Sequence, residues 1–131
     1  MRVLLATQNQ GKVQELQDLL KGLQIEVVSL REISLWEEVE ENGATFAENA
    51  RIKARRAAEI SGMISLADDS GLEVDALGGA PGVHSARFAG EPRDDDRNID
   101  KLLQLLEGVP DERRTARFRC VLAIVTPAGE E

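Results

Sequence analysis

Apolar residues along this chain recur with two different periods, and the switches between them lay out its elements. Residues 2–6 (RVLLA) form a short continuous apolar run, the pattern of a strand buried on both faces. After a polar stretch, Val13, Leu16, Leu19, Leu20 and Leu23 return at helical spacing, and Gly22 stands near the expected end of that helix. Residues 25–30 (IEVVSL) predict a second strand. The acidic run 37–41 (EEVEE) predicts a solvated, irregular segment.

A long helix is expected from Thr45, because Thr45 and Glu48 form a T-x-x-E capping box in which each side chain satisfies a backbone N–H of the first turn. Ala47, Ala50, Ala54, Ala57 and Ala58 give it small faces suited to close packing on a sheet, and Gly62 is its expected stop. Residues 64–67 (ISLA) predict a third strand that ends on Asp68, Asp69, Ser70 and Gly71. Residues 72–77 are expected to be extended, and 78–90 a glycine-containing loop with at most one short element. Ile99, Leu102, Leu103 and Leu106 share one face of a helix predicted over 94–107, with Pro110 beyond it. Residues 117–125 predict a last strand. Strands alternating with helices specify an α/β fold, a central mixed sheet flanked by helices, in one domain over residues 1–131. With no helix after the last strand, the fold is expected to be incomplete at the C-terminus.

Composition narrows the partners. Aromatic residues make up 3% of the chain, so the core must rest on Leu, Ile, Val and Ala. A net charge of −8 repels nucleic-acid backbones, and no basic arm offsets it, so no nucleic-acid partner is expected. An anionic small molecule remains possible where Lys, Arg, backbone N–H groups or a bridging divalent cation are placed locally. Cys120 is the only cysteine, which excludes an intrachain disulfide; within FRCVLAIV it is expected to be a buried small hydrophobe. MRVLLATQ is neither a signal peptide nor a membrane span, so a cytoplasmic protein without a membrane partner is expected.

Three blocks could carry chemistry. Thr7, Gln8, Asn9, Gln10, Gly11 and Lys12 lie between the first strand and the first helix. There α/β folds bind ligands, and a helix N-terminus offers N–H groups to an anion. The alternative is an ordinary turn and helix cap. Asp68 and Asp69 repel one another unless a cation or proton intervenes, and Mg²⁺ is commonly held by one or two carboxylates plus phosphate oxygens. They need not share a role unless the chain turns there, and Asp-Ser-Gly is also a good turn sequence. Asn49 and Lys53 lie one turn apart on one face of the long helix, and Glu41 lies just before it. Lys53 could touch phosphate, or belong to a solvated basic face with Arg51, Arg55 and Arg56. His84, the only histidine, is expected in a loop or at the surface.

In order, LLATQNQGKVQEL, ENGATFAENARIKARRAA, ADDSGLEVDALGGAPGVHSARFAG and ARFRCVLAIV resemble the inosine triphosphate pyrophosphatases, the HAM1-like family acting on non-standard purine nucleoside triphosphates. The resemblance covers most of the chain. It implies Mg²⁺-dependent hydrolysis of ITP, dITP and XTP to the monophosphate and pyrophosphate, and a homodimer in the full-length form. It also implies residue roles. Thr7, Gln8, Asn9, Gln10, Gly11 and Lys12 match the triphosphate loop; Glu41 and Asp69 match metal-associated carboxylates, with Asp69 also the general base. Ser70 matches a substrate contact, and Asp68 and Lys53 match further active-site positions. The family's later purine-contacting segments have no counterpart here, so the chain is expected to be the N-terminal two-thirds of such an enzyme. A non-catalytic nucleotide-binding or oligomerisation module is the alternative. A phosphoacceptor receiver domain is excluded, because TQNQGK stands where its acidic pair would follow the first strand.

Overall fold

A computed structural model describes residues 1–7, 10–32 and 43–131. The order is β1 (Arg2–Leu5), α1 (Gln10–Leu19), β2 (Glu26–Ser29), α2 (Phe46–Ser61), β3 (Ile64–Val74), α3 (Asp95–Leu105) and β4 (Ala116–Val125). The strands form one sheet in the order β2-β1-β3-β4. β1 is parallel to both neighbours, with Val3 beside Val27 on one side and Ile64 on the other. The chain divides into two compact units, Met1–Asp69 with Val121–Glu131, and Ser70–Cys120. The acidic run 37–41 lies outside the described residues.

The first unit is layered because successive strand residues face opposite ways. Leu4, Ala6, Val28, Ala67 and Val125 meet Ala54, Ala57 and Ala58 of α2 on one face. Val3, Leu5, Val27 and Leu66 meet Val13 of α1 on the other. Alanine along α2 lets that helix sit close to the strands, and Ala50 and Ala54 are fully buried. The expected capping works at both ends. Thr45 Oγ1 accepts from the Glu48 N–H at 3.1 Å, worth about 1 kcal/mol. Glu48 Oε2 reaches one residue further back than a capping box requires, accepting from the Ala44 N–H at 2.8 Å. Gly62 ends the helix in the left-handed region at φ 69° and donates its N–H to the Ala58 carbonyl. The first helix starts earlier than its apolar spacing indicated: Gln10, Gly11 and Lys12 belong to its first turn, and Leu23 lies beyond its end.

In the second unit, Arg119 pairs with Glu73 and Arg117 with Asp75, each at 2.7 Å. β4 numbers therefore fall as β3 numbers rise, which is antiparallel pairing and makes the sheet mixed. β3 runs without a break from Ile64 to Val74. The strand expected to end on residues 68–71 continues through them, because the ladder overrides the turn preference of Asp-Ser-Gly. Residues 75–77, expected to be extended, form a short 3-10 turn instead. The 78–90 loop contains one short element, a 3-10 helix over Gly82–Arg87.

α3 is capped by Asp94, whose Oδ1 accepts from the Arg97 N–H at 3.1 Å. Arg114 closes its far end, donating to the Leu106 and Val109 carbonyls. Of its expected apolar face Leu106 is buried, while Ile99 and Leu103 are more than half exposed. Cys120 is exposed, not buried as expected. β4 is an edge strand, and alternation places Cys120 with exposed Phe118 on the side opposite Arg117 and Arg119.

Candidate active site

The first unit has the topology that makes a binding crevice. β1 leads into α1 on one face, and β3 is reached through α2 on the other, although β1 and β3 are neighbours. In such sheets ligands bind outside the carboxyl ends of the strands at this switch in direction. The last β1 partner on β3 is Leu66, which pairs with Leu5 and accepts the Ala6 N–H at 2.8 Å. Asp68 and Asp69 therefore stand just past the end of the β1 ladder, where Thr7 leaves the sheet.

Because β3 does not turn, the two acids point to opposite faces. Leu66 packs with the α1 layer and Ala67 with the α2 layer. The next two residues repeat that alternation. Asp68 pairs with Lys12 in the first turn of α1. Asp69 Oδ2 accepts from Asn49 Nδ2 of α2 at 3.2 Å. A buried carboxylate is costly unless paired or hydrogen-bonded, and both acids, at 6% and 8% exposure, are held in this way. Lys53, one turn along α2 from Asn49, donates Nζ to the Asp68 carbonyl at 2.8 Å. Asp68 is thus the point where the two helices' lysines converge.

Lys12 and Lys53 meet at Asp68, and Asp69 follows on the α2 side of β3. Thr7 is half-buried at the end of β1, and Gln10 and Gly11 are exposed at the start of α1. The first turn of α1 carries no acidic residue, so no carboxylate of its own offsets the positive end of the helix dipole. Gln8, Asn9 and Glu41 lie outside the described residues. Ser70 follows Asp69 along β3, exposed, in the second unit. His84 is exposed in its 3-10 helix and holds no position beside these acids in the chain.

Sequence reasoning gave Asn49 no role. The signal was present: Phe46, Asn49, Ala50, Ala54 and Ala57 form the buried stripe of α2, and an amide within such a stripe needs hydrogen-bond partners. Asn49 has two, since its Oδ1 also accepts the Gly43 N–H at 2.8 Å.

The donors suit a hard cation. Each buried carboxylate provides oxygen only, on its own face of β3, and among the described residues no group of three His, Cys, Asp or Glu side chains assembles into a fuller cage. Mg²⁺ fits that short donor set when phosphate oxygens and water complete its shell; a structural zinc site would need nitrogen or sulfur ligands.

The Ham1 family model matches residues 3–131. The chain belongs to the Ham1 family. A relative from Desulforamulus reducens, named a dITP/XTP pyrophosphatase, is 64% identical over 129 residues, covering 98% of this chain and 64% of the relative. The Ham1 protein of Coxiella burnetii matches with a TM-score of 0.92 at 44% identity, covering all of this chain and 66% of that one. A Mycobacterium abscessus structure, described as a nucleoside-triphosphatase / dITP/XTP pyrophosphatase, matches with a TM-score of 0.88 at 48% identity, covering 99% and 68%. The chain thus spans somewhat less than two-thirds of the length of the Desulforamulus relative. The α/β sheet with its flanking helices is the Ham1 fold.

Proposed function

We propose that residues 1–131 are one domain of an enzyme that hydrolyses non-standard purine nucleoside triphosphates, dITP, ITP and XTP, to the monophosphate and pyrophosphate. The observation that carries this reading is the convergence of Lys12 and Lys53 on Asp68, beside the buried Asp69. Cationic side chains beside carboxylates, just past the β1 ladder, support this reading because a polyphosphate and its cation require that combination. Relatives named dITP/XTP pyrophosphatase supply the choice of base.

In the proposed reaction Asp69 orients the attacking water and takes its proton, while Asn49 holds the carboxylate in place. Lys12 and Lys53 stabilise charge gathering on the departing pyrophosphate. Thr7, Gln8, Asn9, Gln10 and Gly11 line the triphosphate, and Ser70 adds a substrate contact. Mg²⁺, which Asp69 and Glu41 would hold, with Asp68 beside them, supplies charge neutralisation of the triphosphate and polarisation of the scissile phosphate. A homodimer in the cytoplasm is the expected setting. Among the described residues no helix is long and apolar enough to cross a membrane.

Incubation with dITP and Mg²⁺ tests the reading. Pyrophosphate should appear with the divalent cation and stop on addition of a chelator. Tight Mg²⁺·dITP binding without any product would favour a nucleotide-binding module, and neither binding nor product would remove both.

A further inference from the structure

Among the described residues, a buried amide from α2 meets the proposed base directly. Asn49 is 1% exposed, sits on the otherwise apolar face of α2, and uses both ends of its amide. Its Nδ2 donates to Asp69 Oδ2 at 3.2 Å, and its Oδ1 accepts from the Gly43 N–H at 2.8 Å. A carboxylate is acceptor-only, so a donor fixed on one of its oxygens sets the rotation of the group. The amide's own orientation is fixed in turn by the main chain at Gly43. Gly43 has no space for a side chain: a Cβ there would lie 2.7 Å from Asn49 Oδ1 and 2.7 Å from Glu48 Cβ. Glu48 is itself held, by the Ala44 N–H and by the Thr45 cap. At the start of α2 these contacts link Gly43, Glu48 and Asn49, and the Asn49 amide carries them to Asp69.

We infer that Asn49 is a positioning residue for Asp69, and that Gly43 sets the position of Asn49. The inference rests on the proposed role of Asp69. Reactivity at an oriented water falls steeply with misplacement, by about 100-fold for roughly 1 Å, whereas substrate binding by the lysines does not depend on that orientation. Loss of the amide thus lowers kcat by a larger factor than it raises KM.

The test uses Asn49→Asp and Gly43→Ala in the full chain, with dITP and Mg²⁺, beside Asp69→Asn. Asn49→Asp keeps the acceptor for Gly43 but replaces the donor to Asp69 with a like charge. Gly43→Ala displaces the amide without altering either acid. Asn49→Asp should lower kcat about 100-fold with KM changed less than about threefold, and Gly43→Ala should lower kcat about 10-fold in the same way. Should Asn49→Asp fail to fold, Gly43→Ala carries the test alone. The carboxyl carbon resonance of Asp69 reads the same coupling independently of turnover, and Gly43→Ala should move it. An unmoved resonance, wild-type kcat in the folded variants, or a rise in KM at constant kcat overturns the inference. Full turnover in Asp69→Asn overturns instead the role given to Asp69; loss there with wild-type kcat in the other two removes Asn49 alone.

Discussion

If the proposed function holds, replacing Asp69 with Asn should lower turnover of dITP by about 10²–10⁴-fold while leaving the chain folded. The two halves of that expectation come from different atoms. The amide oxygen of the substituted side chain still accepts from Asn49 Nδ2, so the buried contact between β3 and α2 survives. The negative charge that would accept the proton of water and help hold the cation does not. Denaturant unfolding should give a midpoint close to wild type, with steady-state kinetics showing the loss in kcat. Retained turnover would remove Asp69 as the base.

Lys12→Met should affect both stability and activity, and a second substitution should separate the two. Lys12 is the counter-charge of an Asp68 side chain that is 8% exposed. Removing one partner of a fully buried pair costs about 3–5 kcal/mol. Here the lysine side chain is 39% exposed and Lys53 still binds the Asp68 carbonyl, so about 1–3 kcal/mol is expected. Adding Asp68→Asn removes the stranded charge and should restore most of the unfolding free energy. Activity should not return, because the cation facing the leaving group is still missing; a loss of about 100-fold or more is expected in both the single and double variants. If the double variant recovers turnover along with stability, Lys12 serves the fold and not the triphosphate.

Much of the first unit was legible because local and long-range preferences agree there. RVLLA and IEVVSL are apolar where both faces of the sheet are covered, and the Thr45 cap and the Gly62 stop coincide with the ends of the alanine stripe. Legibility failed where the two disagree. Asp-Ser-Gly favours a turn, but in β3 it lies within an eleven-residue strand paired with β4. That difference matters for the site, since a continuous strand sends Asp68 toward Lys12 and Asp69 toward Asn49, giving the two acids separate surroundings. Cys120 was misplaced for a similar reason: an apolar run does not tell a doubly covered strand from an edge strand with one open face. Asn49 was visible as a polar interruption of the α2 stripe, but its partners, Gly43 and Asp69, could be known only from the fold.

The most direct test of the proposed chemistry is hydrolysis of dITP by the chain in ¹⁸O-labelled water with Mg²⁺, followed by mass analysis of both products. Lys12 and Lys53 stabilising a pyrophosphate leaving group, with water attacking beside Asp69, delivers the label to the monophosphate and leaves pyrophosphate unlabelled. Orthophosphate with a nucleoside diphosphate, or label in the pyrophosphate, would contradict it.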